Sequence, residues 1–159
     1  MVTKGRREAG RARYNPDQRN HWAEEEAGIH YSRAMASHGV FIAACGFEHH
    51  GPRGHLGFAP ALTPENFRAP FIAAEGWGTY AQMAADGKMS ASIEIKQGQL
   101  QLQTLHLMMA TATGTPTVQA SLAGAGIPIA FTHENRRIKL AFVNPLIVIK
   151  EQKLAIEVG

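Results

Sequence analysis

The sequence predicts an α+β fold: one long N-terminal helix, then a Gly/Pro-rich connector, then an antiparallel β-sheet or small sandwich. Three observations predict it. Apolar residues over 22–47 recur with a helical period, residues 48–84 are crowded with glycine, proline and aromatic side chains, and residues 88–158 alternate apolar and polar positions in short runs. The chain has 159 residues, 45% of them apolar and 18% charged, a composition that supports a packed core.

The expected organisation is a disordered basic tail over 1–20, a helix plus connector over 21–84, and a β-region over 85–159. The formal net charge is +3, and the excess comes from Lys4, Arg6, Arg7, Arg11, Arg13 and Arg19 at the front. No basic stripe follows residue 20, so nucleic acid is not an expected partner. One cysteine, Cys45, excludes a disulfide scaffold and any zinc site built on two thiolates. The longest apolar run, Gly39 to Phe47, is too short to cross a bilayer, so no transmembrane segment is expected. No apolar stretch follows the basic start, which argues against a secretory signal and for the cytoplasm.

The helix rests on two stripes. Ile29, Ala36, Val40, Ala43 and Phe47 form one, and Tyr31, Met35 and Ile42 form the other. With Gly28, Ala34, Gly39, Ala44 and Gly46 between them, the pattern is that of an interior helix with close neighbours. In the connector, Thr63-Pro64 predicts a helical turn through Phe67, and Phe71 to Tyr80 predicts a first strand kinked at Gly76 and Gly78. Ile93 and Ile95 then alternate with polar residues, and Gln97-Gly98 predicts a hairpin. Leu100, Leu102, Leu105 and Leu107 follow, with a break at Thr104 that reads as a bulge. Further strands fall at Val118–Leu122, Ile127–Ile129, Ile138–Phe142, Leu146–Ile149 and Leu154–Val158.

Several groups could carry chemistry. His49, His50 and His55 have the chemistry of metal ligands, but Glu48 is the one acidic residue at fixed close spacing and no second half of a site repeats elsewhere. A solvated loop is therefore expected, with no metal and no cofactor. Glu26, His30 and Arg33 would share one helical face, either as an ion pair pinning helix to helix or as a polar cleft for a polyhydroxylated ligand. Glu24, Glu25, Glu26, Glu48, Glu65 and Glu75 are candidate carboxylates for glycoside hydrolysis, which needs a pair about 5–10 Å apart. Trp22 and Trp77 could stack on sugar rings.

The run Asn20-His21-Trp22-Ala23-Glu24-Glu25-Glu26-Ala27-Gly28-Ile29-His30-Tyr31-Ser32-Arg33-Ala34-Met35-Ala36-Ser37 resembles a motif of glycoside hydrolase family 116, the family of non-lysosomal glucosylceramidases and bacterial β-glucosidases. The family pattern reads roughly Asn-Pro-Trp-Asn-Glu-x-Glu-Cys-Gly-x-His-Tyr-x-Arg-x-Met-Ala-Ser. The resemblance continues through Gly46 to Gln82, and it departs from the pattern at His21, Ala23 and Ala27.

The resemblance implies that the helix is among the last of an (α/α)6 domain, and that the chain is a C-terminal portion of such an enzyme. It implies a β-glucoside or glucosylated lipid as ligand. Glu24 and Arg33 would bind glucose hydroxyls, with Trp22 and His30 as further substrate-binding residues. The regions that supply the family's nucleophile and general acid/base have no counterpart, so no catalytic residue is assigned and the isolated chain is expected to be inactive. The missing helical domain, or a second copy of the chain, is the implied protein partner. The alternative is a stand-alone carbohydrate-binding or protein-interaction β-module with a docking helix.

Overall fold

The computed structural model describes residues 23–24, 28–29, 31–110 and 114–159, with side chains from Ala36 onward. It divides into a unit over Met1–Ala44 and a unit over Cys45–Gly159. The described residues are mostly strand, and this overturns the expected α+β architecture with a long helix.

In the first unit, two short strands, β1 (Ala23–Glu24) and β2 (Gly28–Ile29), pair antiparallel. The helix α1 follows over Tyr31–Cys45. It is shorter than the expected span of 22–47, because the β1–β2 pairing occupies the chain before Tyr31. It ends where Gly46 takes a left-handed backbone (φ 55°), the usual stop for a helix. The expected interior environment is also corrected: Val40, Phe41 and Ile42 are 37–39% exposed, and Cys45 is the buried residue among the described helix side chains. The tail expected over 1–20 lies outside the described residues.

The expected connector is not a connector. It forms β3 (Glu48–His50), a 3-10 turn over Gly51–Arg53, β4 (His55–Phe58), β5 (Asn66–Ala73) and β6 (Gly76–Ala85). Then come β7 (Lys88–Met108), β8 (Val118–Leu122), β9 (Ala125–Gly126), β10 (Ile129–Glu134), β11 (Arg137–Ile149) and β12 (Lys153–Val158). The predicted helical turn after Thr63 is a tight turn into β5, closed by the Asn66 N–H on the Thr63 carbonyl at 3.0 Å. Pro70 sits within β5, an edge strand paired to β6 alone, which is where a sheet tolerates proline.

The long strand β7 organises the unit. Its first half lies between β6 and β12, and its second half lies between β11 and β4. One sheet therefore runs β5-β6-β7-β12-β8-β9, and the other runs β10-β11-β7-β4-β3. All pairs are antiparallel except β4 with β7. The predicted hairpin at Gln97-Gly98 is instead a bend within this strand. Gly98 takes φ 75°, and a side chain there would strike the Glu75 carbonyl, so the bend requires glycine. The inward set shifts at the bend, from Met89, Ala91, Ile93 and Ile95 to Leu100 and Leu102. It shifts back beside Thr104, to Leu105 and Leu107, where β11 also breaks register between Ala141 and Leu146.

Both sheets turn these residues into one core, with Phe58, Phe71, Tyr80, Ile138, Leu140, Phe142, Val148, Leu154 and Ile156. Phe58 of β4 stacks face to face on Tyr80 of β6, centroids 3.9 Å apart, which joins the two sheets directly. The Tyr80 hydroxyl donates to Gln82 Oε1 at 2.5 Å, and Gln82 Nε2 donates to the Pro64 carbonyl at 2.6 Å, so the buried polar pair is satisfied. Burial pushes the Tyr80 phenol well above its ordinary value.

Candidate functional site

The outward face of β7's second half carries the densest polar constellation among the described residues. Leu56, Phe58, Leu105, Leu107 and Ile138 point into the core, so strand alternation sends His55, Gly57, Thr104, His106 and Arg137 to the other side. Register then aligns them. Gly57 pairs with Glu48 on one flank and with His106 on the other, while His55 lies beside Thr104.

Gly57 is the reason that Glu48 and His106 can meet. A Cβ at Gly57 would lie 3.1 Å from Glu48 Cβ, 3.1 Å from Glu48 Oε2 and 3.3 Å from His106 Cβ. With no side chain there, the carboxylate crosses the gap. Glu48 Oε1 accepts from Arg137 Nη2 at 3.1 Å. Glu48 Oε2 faces His55 Nε2 at 3.4 Å and His106 Nδ1 at 3.5 Å. The two imidazoles meet edge to face with centroids 4.4 Å apart. The other nitrogen of His55, Nδ1, is 2.9 Å from Thr104 Oγ1.

The electrostatics follow from this packing. Burial works against ionisation of Glu48, but Arg137, the hydrogen bond from His55 and the charge on His106 outweigh it and hold the carboxyl below its ordinary value. Burial depresses His106 first, and His55 and Arg137 add to the effect while Glu48 opposes it. An ionised carboxylate thus sits beside an imidazole biased to neutrality. His106 Nδ1 is at ion-pair distance from Glu48 but lacks hydrogen-bond geometry, and it is buried without a hydrogen-bond partner.

The other candidates fall elsewhere. Trp22, Glu25, Glu26 and His30 lie outside the described residues. Glu24 belongs to β1 and Arg33 to α1 by backbone, and their side chains lie outside the described set. Trp77 is 47% exposed on the outer face of β6. Glu75 accepts from Gln99 Nε2 at 2.6 Å, and neither Glu75 nor Glu65 joins the cluster. His49 and His50 are exposed, and His49 stacks on Phe47. Of the predicted histidine loop, only His55 and its neighbour Glu48 enter the constellation. His106 completes it from β7, and the one sequence signal for it was a histidine at a polar position of an alternating strand.

The chain matches no protein-family model and no curated protein.

Proposed function

We propose that the chain serves as the C-terminal part of a β-glucosidase- or glucosylceramidase-like glycoside hydrolase, supplying glucose-binding residues and not the catalytic carboxylate pair. What supports this reading is the resemblance over Asn20 to Ser37 and Gly46 to Gln82. In it, Glu24 and Arg33 bind hydroxyls of the glucose unit of a β-glucoside or glucosylated lipid, with Trp22 and His30 in the same subsite. The backbone is compatible with this. Glu24 precedes α1 and Arg33 lies within it, the arrangement that lets two residues nine apart face one ligand. The exposed Val40, Phe41 and Ile42 supply apolar surface for the remaining helical domain or a second copy of the chain. The lone Cys45, unpaired, fits a reducing cytoplasm, and no described helix is long and apolar enough to cross a membrane.

Titration with glucose or cellobiose, followed by tryptophan fluorescence, tests the reading. Quenching that disappears in Arg33→Ala supports it. Quenching unaffected by that substitution, or hydrolysis of an aryl β-glucoside by the purified chain, overturns it. A stand-alone binding module is the second reading, favoured by the self-contained core of Cys45–Gly159. It predicts no fluorescence response to these sugars when its partner is a protein.

A further inference from the structure

Glu48, His55 and His106 each offer one ligand atom, and these atoms all lie within 4.8 Å of one another. From these positions we infer a binding site for a divalent first-row transition-metal ion of the zinc type. The inference stands apart from the sugar reading, because it uses none of the same residues.

The two distances from the carboxylate oxygen suit such an ion, and the third lies within 4.8 Å. Metal–nitrogen and metal–oxygen bonds of about 2.0–2.1 Å in a tetrahedron set neighbouring ligand atoms about 3.3–3.4 Å apart. Glu48 Oε2 lies 3.4 Å from His55 Nε2 and 3.5 Å from His106 Nδ1. The donor set of two imidazoles and one carboxylate is borderline in softness and suits zinc-type ions over calcium or magnesium.

The chemistry around the donors points the same way. His106 Nδ1 is buried and faces Glu48 Oε2 at 3.5 Å without a well-formed hydrogen bond, so a cation between them would take a ligand from each. Arg137 binds Glu48 Oε1, so that Oε2 is the oxygen turned to the two imidazoles. The Thr104 hydroxyl lies 2.9 Å from His55 Nδ1 and can accept its proton-bearing form, which directs the Nε2 lone pair to the metal. Three protein ligands leave a fourth position for water or another small ligand. Gly57 is a positioning residue for the set, because any side chain there would displace Glu48.

The test is equilibrium dialysis of the full chain against Zn²⁺ with metal analysis, together with NMR of the imidazole resonances during Zn²⁺ addition. One equivalent is expected to bind, with the resonances of His55 and His106 shifting and those of His49 unmoved. His106→Ala and Glu48→Gln should each weaken binding at least about 100-fold, and His49→Ala should leave it unchanged. The NMR arm needs no variant, so a misfolded substitution does not obscure the result. Absence of a stoichiometric ion, or shifts confined to His49 and His50, overturns the inference.

Discussion

The two halves of β7 expose polar faces made from one strand, yet they do different things. Over the first half, the outward residues Ser90, Ser92 and Glu94 lie among Arg68, Ala81, Lys153, Ala155 and Glu157 around a shallow open groove of about 300 Å³. Glu94 there pairs with Lys96 of its own strand, and the floor between the charges is made of small side chains. Over the second half, Glu48, His55, Thr104, His106 and Arg137 converge on one carboxylate. The difference lies in the neighbouring strands. The first half has antiparallel neighbours that carry side chains at every outward position along the groove. The second half has a short parallel neighbour with glycine at the crossing point. Convergence of polar groups on a sheet therefore needs a missing side chain as much as it needs the groups themselves.

The largest predicted effect concerns what joins the halves beneath these faces. Phe58 packs under the second half and stacks on Tyr80, which packs under the first. Phe58→Ala should cost about 3–5 kcal/mol, the range for deleting a buried aromatic ring. Urea unfolding followed by tryptophan fluorescence and by circular dichroism should still show one transition, shifted to lower denaturant. Two separated transitions would mean that the halves are independent units, and the comparison would then be between domains and not between faces.

Gly57→Ala converts the second half to the pattern of the first. The added Cβ meets Glu48 and His106 within 3.1–3.3 Å, so the expected cost is about 1–3 kcal/mol from overpacking. The same urea midpoint shift measures it. Ser92→Ala, on the groove floor, should stay within about 0.5 kcal/mol. Equal effects at the two positions would remove the claim that the gap matters.

The sequence made some of this legible and concealed the rest for identifiable reasons. Strand β7 and the last strand β12 announce themselves because Ile, Leu, Met and Val fill most inward positions while Ser, Glu, Lys and Gln fill most outward ones, and β11 does so over Arg137 to Phe142 before it turns Val143, Ile147 and Ile149 outward. Strands β5 and β6 do the reverse. They turn Pro70, Ile72, Trp77 and Met83 outward and bury Ala69, Gly78 and Gln82 beside Phe71 and Tyr80, so hydropathy does not alternate, and the sequence shows one kinked strand over Phe71 to Tyr80 where the fold has two. The helix misled through its apolar stripes, which predict burial that the described residues do not supply. For the polar constellation, Glu48 and His55 are near neighbours in sequence. His106 is brought to them only by the parallel pairing of β4 with β7, a long-range contact with no local trace.

Acid should separate the two halves next. His106 and Glu48 both have folded-state values below their ordinary ones, 6.5 and 4.5. On acidification the unfolded chain therefore takes up protons before the folded chain does. Their contribution to stability is fully present above pH 6.5, begins to fall below it as His106 titrates, and falls again below 4.5 as Glu48 titrates. Urea midpoints measured across this range should show both declines. Arg137→Met should flatten chiefly the lower decline, because Arg137 is the largest influence lowering Glu48, whereas burial and His55 lower His106 more than Arg137 does. A profile unchanged by that substitution would show that the guanidinium does not hold the cluster.

The smallest effect is the sharpest test, because two ion pairs of nearly equal exposure can be compared. Lys96 Nζ donates to Glu94 Oε1 at 2.5 Å with side chains 37% and 42% exposed, and Arg137 reaches Glu48 with side chains 38% and 39% exposed. If exposure alone set their worth, double-mutant cycles on the two pairs would give the same coupling. The Lys96–Glu94 pair has a short reach, two residues apart on one strand face, and no third partner within hydrogen-bond distance among the described residues. Its coupling should stay within about 0.5 kcal/mol and vanish in about 1 M salt. The Arg137–Glu48 pair shares its carboxylate with two imidazoles, so its coupling should be larger and should fall when His55 is replaced by alanine. Identical couplings would show that the convergence of groups on the second half of β7 adds nothing to a pair of surface charges.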